Sequence, residues 1–328
     1  MADAVVATGQ RRNARPALAL ALLACAAVAA CAAFMTVGVR GDWSFVLPFR
    51  AAKLAGLVLV GVAIAVSTVL FQTLTQNRIL SPAIMGFDAL YVAIQTALVF
   101  VLGARELSGF DPRLRFLFEA GAMIAASMLL FRWLIVHRGR SLHLMVLAGV
   151  VFGVLFRSLS SMLQRILDPN EFSVLQDLLF ASFNSVDTAL LGVSAAIIVV
   201  VCAVAWRMAD ALDVMALGRE TAIGLGLDHR RMVDALLLMI AVLVSVSTAL
   251  VGPVTFFGLL VANLAYAFAG TGRHRVTLPA AAFVAVVALV GGQTVLERAF
   301  GMDTALSVII EFVGGIVFIL LLLRGNWR

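Results

Sequence analysis

The chain has 328 residues, of which 63% are hydrophobic and 13% charged, with a formal charge of +6 and a mean hydropathy of +1.08. A soluble domain is about half apolar and about a quarter charged, so this composition excludes a soluble enzyme, and arginines placed at the ends of apolar runs give no nucleic-acid surface. The cysteines, Cys25, Cys31 and Cys202, are odd in number and lie in apolar runs, so they do not read as a disulfide framework.

The first element is Ala17–Val39. With Arg11, Arg12 and Arg15 before it and Val28–Cys31 within it, it imitates a signal peptide. It outlasts the about 7–15 apolar residues of a signal core, however, and reads as a retained first span. A bilayer core takes about 20 helical residues to cross, and further apolar runs follow at Ala51–Gln72, Ile84–Gly103, Phe116–Val136, Leu142–Leu163 and Thr188–Trp206. After a polar interruption come Met232–Val251, Val254–Ala269, Val276–Leu296 and Ala305–Leu323. The eighth run is short and opens just after Gly252-Pro253, as a half-helix would. The reading is an all-α polytopic membrane protein of about ten transmembrane helices, with residues 1–16 as a tail and 17–328 as one domain. Arginines collect on one side (Arg78, Arg207, Arg219, Arg230, Arg231, Arg273, Arg275) and acids on the other (Asp42, Glu106, Asp111, Asp168, Glu171, Asp177, Asp187). The basic side is therefore placed in the cytoplasm together with both termini.

The polar interruption, residues 208–231, then faces the cytoplasm. Asp213 is placed to cap one short helix through "VMALGRETAIGLG", with Val214, Leu217, Thr221 and Leu225 on a modest face and Gly224 and Gly226 ending it through a positive-φ turn. Such a helix either docks in a groove on a soluble partner or rests on lipid. No Gly-x-x-x-x-Gly-Lys-[Ser/Thr] loop occurs. If the chain is a pump, its nucleotide engine is another polypeptide, and this chain carries no cofactor. No catalytic motif is present, and His137, His143, His229 and His274 fall near span ends, where interfacial packing is the ordinary reading.

Polar side chains recur at membrane depth: Ser67, Gln72, Gln95, Arg157, Ser158, Ser160, Ser161, Ser245 and Asn263. Each either glues helices together, for about 0.6–2 kcal/mol, or lines a wet path. Ser67, Gln72, Gln95, Ser158, Ser245 and Asn263 are the path candidates. Asp88 and Glu311 also fall within spans, where a charge costs at least about 2.5–3.5 kcal/mol and faces protein or water. Asp88 is either a helix cap or a proton site, and Glu311 either meets an arginine near the cavity or is a proton site. The spacing of Gly149 and Gly153 permits close helix contact.

"MALGRETAIGLGLD" resembles the cytoplasmic coupling segment of FecCD-type permeases of ATP-binding-cassette importers for iron-siderophores, haem and cobalamin. The likeness covers nearly the whole chain. "RAAKLAGLVLVGVAIAVSTVLFQTLTQNRILSPAIMGFDAL", "LAGVVFGVLFRSLSSMLQRI", "ALVGPVTFFGLLVANL" and "GGIVFILLLLRG" are similar, in order, to family segments, and "DPNEFSVLQDLLFASFNSVDT" is similar to a subgroup serving ferric siderophores, often catecholates. The resemblance implies an importer in the inner membrane with two permease chains, identical or homologous, two cytoplasmic ATPase subunits and a periplasmic binding protein. It implies ATPase coupling through Leu217, Gly218, Glu220, Ala222, Leu225 and Gly226. It also implies docking of the binding protein on Arg50, Lys53 and Arg298. After "FFGLLV" many members continue Pro-His where this chain has Ala262-Asn263, which leaves open a non-identical permease partner and the substrate. Cobalamin, haem or another metal chelate is the alternative cargo, and a proton-coupled carrier the alternative class.

Overall fold

A computed structural model describes residues 2–38, 42–138, 142–183, 187–299 and 306–324. Val39 and Ala305, named above as span ends, lie outside the described residues, as do the side chains of Arg11, Arg12, Arg15, His137 and His143.

Among the described residues there are fourteen α-helices and no strand. The first half runs α1 (Ala2–Thr36), α2 (Trp43–Thr75), α3 (Phe87–Leu102), α4 (Ala104–Gly109), α5 (Pro112–Arg138), α6 (Leu142–Gln164) and α7 (Pro169–Leu179). The second half runs α8 (Thr188–Arg207), α9 (Ala209–Met215), α10 (Arg219–Gly224), α11 (His229–Val251), α12 (Phe257–Ala269), α13 (His274–Ala299) and α14 (Leu306–Arg324). Seven of them contain stretches long and apolar enough to cross a membrane, and α3, α12 and α14 add shorter apolar segments.

Local chemistry sets the helix starts. Asp42, Asp168, Asp187 and Asp228 cap α2, α7, α8 and α11, each carboxylate accepting a backbone N–H from the first turn at 2.8–3.1 Å. Such a cap contributes about 1 kcal/mol. α2 consequently begins at Trp43 rather than near Ala51, and α1 continues unbroken from Ala2 through Pro16. α3 begins at Phe87 rather than at Ile84, because Ala83–Met85 forms a 3-10 turn closed by Gly86 at φ 94°. A Cβ on Gly86 would lie 2.9 Å from Gly153 Cα and 3.0 Å from the Gly149 carbonyl oxygen. The small residues of α6 are therefore the seat on which this turn rests. α4 and α7 are short helices that hydropathy gave no reason to expect.

The core is centred on α2 and α11, which pack on each other and on α8; α11 also packs on α5, α2 on α12 and α13, and α13 on α12 and α1. Most of the apolar stretch of α2 and of α11 is buried inside the chain, whereas α1, α6 and α8 turn most of theirs outward. Phe71, Phe257, Leu57, Leu236 and Ile240 are fully buried at the centre.

Candidate functional site

The polar segment between α8 and α11 folds as two short helices rather than one. Gly218, at φ 101°, separates α9 from α10. Asp213 lies inside α9 and caps nothing there; it accepts hydrogen bonds from the backbone N–H of His274 at 2.8 Å and contacts His274 Nδ1 at 2.6 Å. The other ring nitrogen, Nε2, lies 2.7 Å from Thr73 Oγ1 on α2. His274 is 2% exposed, so α9, α13 and α2 meet at one buried imidazole. Two further ties brace the segment. Arg275 forks onto Asp210 at 2.9 and 2.8 Å, a geometry that holds the Asp210 carboxyl below the usual carboxylate range. Gln76, at the end of α2, donates to the Met215 carbonyl at 3.4 Å.

The same segment exposes large apolar side chains. Leu217 and Leu225 are 60% and 62% exposed, and Ile223 stands out beside them. Ala222 is buried and Glu220 is exposed. α10 closes through paired hydrogen bonds from Gly226 N–H to Ile223 and from Leu227 N–H to Ala222, with Gly226 at φ 85°, a left-handed termination that needs glycine. The result is a firmly braced knob with greasy corners. Exposed apolar side chains so grouped mark a contact surface.

At the opposite end of α2 the structure gathers Arg50, Lys53 and Arg298 around the end of α1. Arg50 donates to the carbonyls of Phe34, Met35 and Val37 at 2.9–3.2 Å, and Arg298 also donates to Val37. Both arginines thereby satisfy carbonyls left over where α1 ends. Lys53 is buried and pairs with Glu297 at 2.5 Å.

The six path candidates do not share one surface. Gln72 and Asn263 both donate to the Arg78 carbonyl, at 2.7 and 3.3 Å, and pin the turn after α2. Gln95 is buried and accepts from Arg115 at 3.4 Å. Ser245 is buried within α11, and Ser67 lines a small internal cavity with Thr68, Ser81, Asp88, Ser247 and Thr255. Ser158 alone of the six is exposed, beside Arg157 and Ser161 on α6. Among the described residues no group of three or more His, Cys, Asp or Glu is placed to hold a metal ion. The braces tie the knob to α2 and α13, and the Asp213–His274–Thr73 chain that does so is buried at the imidazole.

The His274 junction and the Lys53–Glu297 pair escaped sequence reasoning. Their partners lie 61 and 244 positions apart, and no local spacing announces them.

The FecCD transport family profile matches residues 17–324. The chain belongs to the FecCD transport family. This FecCD permease is 46% identical over 286 residues to the petrobactin import system permease protein YclO of Bacillus subtilis (strain 168), covering 87% of this chain and 91% of that one. It is 36% identical over 275 residues to the petrobactin import system permease protein FatC of Bacillus anthracis, covering 84% and 78%. A vitamin B12 import system permease protein BtuC, from Klebsiella pneumoniae, is 28% identical over 329 residues, covering 97% and 96%. A solved structure titled as an inward-facing conformation of a metal-chelate type ABC transporter superposes with a TM-score of 0.82 at 19% identity, covering 94% of this chain and 99% of that one. At that identity the likeness speaks to the fold alone, an all-helical bundle.

Proposed function

We propose that this FecCD permease is the membrane subunit of an ATP-binding-cassette importer that moves a ferric siderophore of the petrobactin kind inward across the cell inner membrane. The observation that carries the reading is the 46% identity, over most of both chains, to a petrobactin import permease. The braced knob at residues 208–231 fits it physically. Leu217, Ile223 and Leu225 supply an apolar plug for a groove on a cytoplasmic ATPase, and Glu220 is exposed beside them. ATP is bound by that partner and not by this chain. A second permease, identical or homologous, and a periplasmic binding protein complete the assembly. Ten crossings, with α3, α12 and α14 as the short ones, leave both termini in the cytoplasm. Arg50 and Arg298 present the basic rim to the binding protein. Lys53 contributes by neutralising Glu297, so that the rim meets acidic partners with a net positive charge. Such exposed charges set register and association rate more than affinity.

Growth tests the cargo. Cells lacking other iron uptake are expected to grow on ferric petrobactin as sole iron source only when this chain and its partners are present; equal growth without it overturns the cargo. Co-purification tests the coupling. Glu220→Lys combined with Gly226→Pro is expected to release the ATPase from the permease, and an intact complex after both changes overturns the assignment of the knob.

A further inference from the structure

The cavity that Ser67 lines lies within a single chain, between α2, α11 and the starts of α3 and α12, and is partly open. Both of those helices begin inside the bundle, after the unwound stretches that contain Pro82 and Pro253. Unwound backbone at membrane depth persists where it lines a cavity, and discontinuous helices of this kind hold ions in other transporters.

The lining is rich in hydroxyl and carboxylate oxygens. Ser67 and Thr68 spend their single hydroxyl protons on the Ile64 carbonyl, at 3.0 and 2.7 Å, and Ser247 spends its own on the Val244 carbonyl at 3.0 Å. Their lone pairs remain. Ser81 is 2% exposed, and its Oγ has no hydrogen-bond partner among the described residues; the same holds for the buried Oδ2 of Asp88. A Cβ on Gly258 would collide with Thr68 Oγ1, so a glycine is what lets α12 approach this wall. The Asp88 carboxyl is hydrogen-bonded by Thr255, and the charges acting on it, Glu311 and Arg157, are of opposite sign and belong to exposed side chains.

A water molecule would donate to at most two of these acceptors and bring no charge to the buried carboxylate, in a setting where a lone charge is costly. The cavity has room for about one water-sized particle. A magnesium ion keeps several of its waters and would not fit with them. Nitrogen and sulfur ligands for a transition metal are absent from the lining.

We propose that Asp88, Ser81, Ser67, Thr68 and Ser247 form a binding site for a dehydrated monovalent alkali cation, which ties the broken starts of α3 and α12 to α2 and α11. The site lies within one permease chain and does not depend on which chelate is carried. Its occupant stabilises the midpoint of the bundle, where the helices are interrupted.

The test is thermal unfolding of the full-length permease in detergent, titrated with sodium chloride or potassium chloride against choline chloride at constant ionic strength. The wild-type chain is expected to gain stability saturably with sodium or potassium and not with choline. Asp88→Asn should weaken the apparent cation affinity by about tenfold or more, and Ser81→Ala should weaken it less. Ser194→Ala, which removes a buried hydroxyl elsewhere, should keep the wild-type response. Equal stability in alkali chloride and choline chloride overturns the proposal, whether water or a proton then fills the site. A cation response undiminished in Asp88→Asn overturns it equally. Should Asp88→Asn not fold, the wild-type comparison and Ser81→Ala decide on their own.

Discussion

Removing one partner of a buried ion pair strands the other charge without water, at a cost of about 3–5 kcal/mol. Lys53 Nζ and Glu297 Oε1 lie 2.5 Å apart, with side chains 8% and 14% exposed. Lys53→Met is therefore expected to lower the melting temperature of the solubilised permease clearly, and adding Glu297→Gln to restore much of the loss. A double variant no more stable than Lys53→Met would mean that the pair is not desolvated. Gly86 makes a different residue-scale case. Its φ of 94° disfavours any side chain, and an added Cβ would sit 2.9 Å from Gly153 Cα. Gly86→Ala is expected to cost about 1–3 kcal/mol, whereas Gly121→Ala, which meets open space, should be close to neutral in the same melt.

The elements divide by how much of their cause is local. Long apolar helices such as α2, α8, α11 and α13 were legible from hydropathy because twenty apolar residues have few other fates, and the late start of α12 was legible from Gly252-Pro253. The polar segment between α8 and α11 was legible as a surface element from its polarity; the coupling residues its family likeness implies belong to the proposed function. The segment's break at Gly218 was not legible, because a glycine at φ 101° reads in sequence like any other glycine. Nor was the role of Asp213, a fair helix cap by type, which is taken instead by His274 across 61 positions. That junction carries an element-scale prediction. If α9 pushes on α2 and α13 through the imidazole, Asp213→Ala or His274→Ala should leave the ATPase bound but lower uptake per ATP hydrolysed several-fold, as a loss of about 0.5–2 kcal/mol of coupling implies. Leu217→Asp should instead loosen the ATPase itself. Uptake and hydrolysis assayed together in proteoliposomes distinguish the two, and a His274→Ala protein with unchanged uptake per ATP would remove the junction from the coupling path.

At the scale of the whole molecule, the question is what covers the helices whose apolar stretches turn outward. α6 is one of them, and its surface is not uniform. By helical spacing, Arg157 and Ser161 stand on one side, with Ser158 at its margin, and Leu155, Leu159 and Met162 stand on the other, all of them exposed. An arginine turned toward lipid at that depth costs at least about 2.5–3.5 kcal/mol, whereas the leucine side costs nothing there. The chain alone therefore has one face of α6 that lipid can cover and one that asks for water or protein. In an importer with two permeases, that second face is where a solvated path for an anionic chelate would run, with Arg157 supplying attraction. Once Cys25, Cys31 and Cys202 are replaced by serine, a cysteine at Ser161 is expected to react with a membrane-impermeant maleimide in the assembled importer, and a cysteine at Leu159 to stay unreactive. Arg157→Gln should reduce chelate uptake while leaving basal ATP hydrolysis in place. If the Leu159 cysteine labels as fast as the Ser161 cysteine, α6 has no lipid-covered side, and the path must be sought along another helix.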